Sequence, residues 1–139
     1  MDVLPTDATL DGEIDALEEH FAKYDFIFFH YKAADAAGED GDFDAKVQAL
    51  ETLDEFIPGL LDLKPDAFIV AGDHATPSIM AGHGWQPVPL LIHSKLTLGE
   101  GVAAFDERAC ATGSLGRIPA TQIMFLALAH AGKLIKFGP

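Results

Sequence analysis

Basic side chains are scarce in this chain. Nine lysines and arginines stand against 22 aspartates and glutamates, for a formal net charge of −13. Phosphate backbones and anionic membrane surfaces call for a basic face, so this balance argues against nucleic acid and membrane as partners. Cysteine is nearly absent. Cys110 stands alone, which excludes an internal disulfide framework and fits a reducing, cytoplasmic setting. Long apolar runs are missing too: the stretch from Ile123 to Ala129 is far shorter than the roughly 18–20 residues a membrane span needs. The amino terminus carries Asp2, Asp7 and Asp11 and no basic segment leading into an apolar core, so no signal peptide is expected.

What remains is a chain of 139 residues, 49% hydrophobic, sized for one domain over residues 1–139 with a single core. Helical spacing of Ile14, Leu17 and Phe21 predicts a helix from about Asp11 to Lys23, acidic early and basic late as the helix dipole favours. Phe26 to Tyr31 reads as a strand, apolar on both faces. Residues 33–42 read as a small acidic loop punctuated by glycine. A longer helix is expected from about Phe43 to Ile57, with Val47, Leu50, Leu53 and Ile57 toward the core, ending or kinking at Pro58-Gly59. Ala67–Ala71 and Val88–His93 complete the strand candidates, Pro89 suggesting an edge or a strand start. A last helix, apolar nearly all round, is expected to begin at Pro119, run to Ala131 and lie buried between the sheet and something else.

Strand, helix and strand joined by short loops predict a right-handed crossover in an α/β fold with a mostly parallel sheet and flanking helices. Ligands of such sheets sit at the carboxyl ends of the strands. Two loops leave strands there, and they can bring Asp35, Glu39, Asp73, His74 and His83 together although these are dispersed in sequence. A carboxylate with two imidazoles suits Zn²⁺ or Mn²⁺, the harder ion gaining as carboxylates accumulate. An acidic protein handling a phosphorylated substrate also needs cations to mask its own field.

Each candidate has a plainer reading. Asp73 caps its own turn and His74 packs nearby, or both ligate metal. His83, in Gly82-His83-Gly84-Trp85, is a ligand or a polar residue beside a buried tryptophan. Asp35 and Glu39 stand four residues apart, and only nearness to Asp73-His74 raises them above a solvated acidic face. His30 and His93, at strand ends, read as structural. Lys32 and Arg117 are candidates for a phosphate contact without a specific motif. Ser78, Ser94 and Ser114 lack neighbours that would mark a nucleophile, and Cys110 near Arg108 reads as inert.

Four motifs in order carry a resemblance over roughly residues 20 to 139. They are Asp35-Ala-Ala-Gly38-Glu39-Asp40-Gly41-Asp42, Gly72-Asp73-His74-Ala-Thr-Pro-Ser78, His83-Gly-Trp-Gln-Pro87-Val-Pro89 and Gly113-Ser-Leu-Gly116-Arg-Ile-Pro119. This set resembles the carboxyl-terminal part of the archaeal-type cofactor-independent (2,3-bisphosphoglycerate-independent) phosphoglycerate mutases of the alkaline phosphatase superfamily. The resemblance implies an alkaline-phosphatase-like fold and two divalent ions, Mn²⁺ first with Mg²⁺ or Zn²⁺ as alternatives. It also implies a serine that carries the phosphoryl group between the 3- and 2-positions of glycerate. One metal would take Asp35, the residue at position 39 and His83; the other would take Asp73 and His74. Paired ions of this kind neutralise phosphate charge and stabilise an in-line transfer.

Two departures qualify the carry-over. The family's first motif reads Asp-x-x-Gly-His, whereas Glu39 stands here. Glu39 either ligates, making the site harder, or faces solvent in a degenerate site. The resembling enzymes are also about three times as long, and their nucleophilic serine, an aspartate ligand and the lid domain belong to the part before this one. The chain alone is therefore expected to be inactive and to call for an amino-terminal complement or a homo-oligomer, with phosphoglycerate the substrate of the whole enzyme. Another phosphatase or phosphomutase of the superfamily, or a non-catalytic metal-binding or interaction module, stands as the alternative.

Overall fold

A computed structural model describes residues 2–99 and 102–134. The chain divides into two compact units, one of residues 1–64 with 78–82 and one of residues 65–77 with 83–139. Among the described residues no helix is long and apolar enough to cross a membrane.

The first unit is helical. Helix α1 (Leu10–His20) starts because Thr9 caps it, its hydroxyl oxygen accepting from the Gly12 amide at 3.1 Å. Asp7 in turn accepts from the Thr9 amide and hydroxyl at 3.0 and 2.6 Å, bonds that hold its carboxyl below the usual range. Ile14 and Leu17, one turn apart, are the buried face, and a single 3₁₀ turn, Phe21–Lys23, prolongs the helix. The predicted helix thus forms within a few residues of its expected limits.

Phe26 to Tyr31 is extended as expected, yet it joins no strand among the described residues. Its side chains alternate: Ile27, Phe29 and Tyr31 are partly covered, while Phe26, Phe28 and His30 face outward. Tyr31 ties the segment down by donating its hydroxyl to the Ala49 carbonyl at 3.1 Å. The acidic stretch 33–42 is more ordered than its composition suggests. Ala33–Glu39 forms a helix, α2, despite Gly38, because three alanines with Asp35 in the first turn suit a helix start.

Three residues, Asp40, Gly41 and Asp42, join α2 to α3 (Phe43–Asp62). Gly41, at φ +73°, donates to the Gly38 carbonyl, and the Asp42 amide reaches back to Ala37 at 3.0 Å, closing α2 in a Schellman turn. Asp42 then opens α3, its carboxylate accepting from the Ala45 amide at 2.9 Å. Two expectations for α3 are corrected. It runs through Pro58 to Asp62, since the turn beyond the proline buries Leu60 (7% exposed), which outweighs one lost backbone bond. Val47 and Leu50 also stay exposed, at 37% and 50%, while Leu53 and Ile57 are partly covered.

Lys64 ends α3 in the left-handed region at φ +57°, its amide bonded to Leu61 at 2.9 Å and Pro65 following. A side chain there is strained by roughly 1–2 kcal/mol. Lys64→Gly is expected to stabilise the chain by about 0.5–1 kcal/mol once the looser unfolded state of glycine is subtracted. Urea unfolding at constant slope would show it; an unchanged or lower midpoint would mean the lysine is unstrained.

In the second unit β1 (Ala67–Ala71) and β2 (Leu90–Ser94) pair antiparallel, with Ala67 opposite Ser94 and Ala71 opposite Leu90. Both strands occupy the predicted segments, Pro89 preceding β2. The mostly parallel sheet does not form among the described residues. The pair observed is antiparallel, and the third strand that the crossover needed, Phe26–Tyr31, is unpaired. A two-stranded ribbon is marginal alone, and α5 (Ile123–His130) packs on β1 to support it. Helix α4 (Glu107–Cys110), capped by Asp106, lets the Cys110 thiol donate to the Leu90 carbonyl at 3.8 Å. Helix α5 follows a 3₁₀ turn, Ala120–Gln122, in the predicted segment. It is not buried as expected: β1 covers one side, and Phe125 on the other is 60% exposed.

Candidate metal centre

The loop that leaves β1 begins at Gly72, where a Cβ would lie only 3.1 Å from Val88 side-chain atoms, so the backbone passes close to the segment entering β2. Asp73 and His74 follow. The two oxygens of Asp73 do different things. Oδ1 accepts from the His74 amide at 2.9 Å, the turn-capping role that its residue type allows. Oδ2 lies 3.4 Å from His74 Nε2. Two donors sharing one ion at bond lengths of about 2.0–2.2 Å in a tetrahedral array stand roughly 3.4 Å apart. The pair therefore fits a divalent ion as it stands, with one hard and one borderline donor.

A short antiparallel bridge sets the second histidine. Ala75 pairs with Gly84, whose amide donates to the Ala75 carbonyl at 2.7 Å. That pairing brings His83 onto His74, with ring centroids 3.8 Å apart and planes tilted by 34°. Trp85 is 85% exposed and so does not enclose His83. Sequence distance of nine residues thus collapses to ring contact.

The other two predicted ligands stand on α2 of the first unit. Asp35 is largely covered and accepts from Lys32 Nζ at 2.8 Å; Glu39, one turn further on, is exposed. Lys32 is therefore tied to a candidate ligand rather than simply displayed to a phosphate. Arg117 is exposed. His30 stacks with Phe28 at 6.3 Å, and His93 is exposed on β2.

Among the described residues, neither Ser78 nor Ser94 is set up as a nucleophile. Ser78 Oγ is buried without a hydrogen-bond partner. Ser94 Oγ lies 3.4 Å from His130 Nδ1, but it is buried and already accepts from the Leu96 amide. One polar residue escaped the sequence reading. Thr76, 5% exposed, places its Oγ1 3.1 Å from His74 Nδ1. Its spacing was the available signal: residues i and i+2 of an extended segment face the same side.

Comparison with known proteins points the same way. The family described as the metalloenzyme superfamily matches residues 3–130. A probable 2,3-bisphosphoglycerate-independent phosphoglycerate mutase of Aquifex aeolicus is 48% identical over 139 residues, covering 99% of this chain and 34% of that protein. Proteins of the same name from Thermosipho melanesiensis and Thermus thermophilus are 47% and 43% identical, covering 99% of this chain and 34% and 35% of theirs. The chain thus spans about a third of the length of these relatives. A solved protein structure from Pyrococcus horikoshii superposes with a TM-score of 0.85 at 33% identity, over 92% of this chain and 40% of that one.

Proposed function

The chain belongs to the metalloenzyme superfamily, and on that premise we propose that it is the carboxyl-terminal, metal-binding portion of a cofactor-independent phosphoglycerate mutase. The whole enzyme interconverts 3- and 2-phosphoglycerate in the cytoplasm, in glycolysis and gluconeogenesis. Its fold is alkaline-phosphatase-like with a mostly parallel sheet, to which residues 1–139 contribute as one domain. The observation that carries the reading is the 43–48% identity along 99% of this chain to proteins of that name, and the 3.4 Å separation of Asp73 Oδ2 and His74 Nε2 agrees with it.

Asp73 and His74 hold one divalent ion; Asp35, Glu39 and His83 hold the other. Mn²⁺ is the favoured ion, because three carboxylates make the donor set hard, with Mg²⁺ and Zn²⁺ as substitutes. When bound, such ions neutralise the phosphoryl group and stabilise the entering and leaving oxygens. The chain's own part is to fix the donors: Asp73 through the His74 amide, Asp35 through Lys32, and His83 through the Ala75–Gly84 bridge. The substrate-gripping residues and the nucleophile come from an amino-terminal complement; nucleic acid and membrane take no part. Exposed Glu39 favours a second reading, in which only the Asp73-His74 ion is retained and the chain is a metal-binding module without turnover.

Two measurements separate these. The mutase reading expects two ions per chain by metal analysis, and the module reading expects one. The isolated chain is expected to show no mutase turnover, and Mn²⁺-dependent turnover is expected on mixing with the amino-terminal two-thirds of the Aquifex aeolicus relative. Turnover by the isolated chain would contradict the assignment of the nucleophile to the missing part.

A further inference from the structure

A metal-binding imidazole has two nitrogens, and the ion can take only one of them. Which one is set by what the other nitrogen meets. At His74 the two nitrogens meet different groups. Nε2 faces Asp73 Oδ2 at 3.4 Å, and Nδ1 faces Thr76 Oγ1 at 3.1 Å. The aspartate side is open, with 66% of the Asp73 side chain exposed; the threonine is buried at 5%.

We propose that Thr76 is the positioning residue of this centre: its buried hydroxyl accepts the His74 Nδ1–H and thereby directs Nε2, beside Asp73 Oδ2, to the ion. The inference rests on the reading of Asp73 and His74 as ligands and adds the group that selects the ligating atom.

The choice of a hydroxyl has a chemical reason. Without metal, an Nε2–H points at the Asp73 carboxylate, and a neutral ring then needs a donor at Nδ1. With metal at Nε2, the proton sits on Nδ1 and needs an acceptor. A carboxylate or carbonyl in place of Thr76 could only accept, and an amide N–H could only donate. A hydroxyl rotates and does both. The ring therefore keeps its orientation in both states, and metal binding requires no swing of His74. Burial of Thr76 keeps bulk water from its hydroxyl, and Thr76 itself is held in the segment that Ala75 pins to Gly84.

The test uses the 139-residue chain and Zn²⁺, which is diamagnetic. In the Zn²⁺-loaded chain, nitrogen-15 imidazole spectra are expected to show His74 bearing a slowly exchanging proton on Nδ1 with the ion on Nε2. Zinc on Nδ1 overturns the proposal without any substitution being made. Thr76→Val keeps the shape and removes the hydroxyl; it is expected to weaken Zn²⁺ binding about 10-fold or more and to abolish the protected N–H signal. Thr76→Ser, which restores the hydroxyl, is expected to return affinity to within about twofold of the unsubstituted chain. Unchanged affinity in Thr76→Val, or an equal loss in Thr76→Ser, overturns the role of the hydroxyl.

His74→Ala separates the two levels of argument. Should it leave Zn²⁺ affinity intact, the ligand reading is wrong and the proposal falls with it. Should it abolish binding while Thr76→Val does not, the ligand reading stands and only the proposal falls.

Discussion

Replacing His74 with alanine is expected to lower Mn²⁺ affinity by at least about 100-fold. Loss of a residue that merely orients a ligand costs 10–100-fold, and on the proposed function His74 supplies a ligand atom itself. The fold should survive. His74 sits in a loop with 31% of its side chain exposed, outside the buried apolar set, so its truncation removes little packing. The measurement is a Mn²⁺ titration followed by electron paramagnetic resonance, with thermal unfolding alongside. Mn²⁺ at 100 times its dissociation constant should stabilise the unsubstituted chain by about 2.7 kcal/mol through this site, and the same addition should give His74→Ala no more than about 0.4 kcal/mol through it. Equal stabilisation of both would place the ion elsewhere.

Leu60→Ala is expected to cost about 3 kcal/mol of folding stability. The buried apolar side chains among the described residues are Ile14, Leu17 and Leu60. Leu60 lies past Pro58, in a turn of α3 that exists only if its burial offsets the missing proline amide. Truncation removes that support and leaves a void, the combination that makes buried Leu→Ala changes cost about 2–5 kcal/mol. Against a typical total of roughly 5–15 kcal/mol, such a loss would be plain in urea unfolding. Leu50→Ala is the control. At 50% exposure it should cost under about 1 kcal/mol. Equal losses would mean that α3 packs through its other face.

The helices and the two strands were legible in the sequence wherever a local rule acted. Thr9 and Asp42 are capping residues by type, Pro89 marks a strand start, and the apolar periods of α1 and β1 name their own elements. Two short helices were missed locally, α2 where a loop was expected and α4 where nothing was; the other failures were long-range. Phe26 to Tyr31 has strand composition, but a strand exists only with a partner, and pairing is not encoded in six residues. Val47, Leu50 and Phe125 have core composition, and what covers an apolar face is decided by neighbours that the local pattern does not name. Pro58 broke a local rule for the sake of Leu60.

The site divided along the same line. Asp73 and His74 are adjacent, so their meeting could be read from the chain. The contact of His83 with His74 needed the Ala75–Gly84 bridge, and the part of Thr76 needed the direction of a ring nitrogen. Glu39 has the right spacing from Asp35, and spacing alone does not say whether a carboxylate on an exposed turn reaches an ion.

The divided duty of Asp73 limits what evolution or engineering can place there. One oxygen accepts from the His74 amide and the other faces His74 Nε2 at 3.4 Å. Asparagine can satisfy only half of this: with its oxygen on the amide, it turns an N–H toward the position where an ion would sit; flipped, it sets donor against donor at the backbone. Glutamate keeps the chemistry but moves both oxygens one methylene away from the turn. If Asp73 ligates as proposed, neither of its near relatives in size or charge can replace it, because the position uses the two-fold symmetry of a short carboxylate.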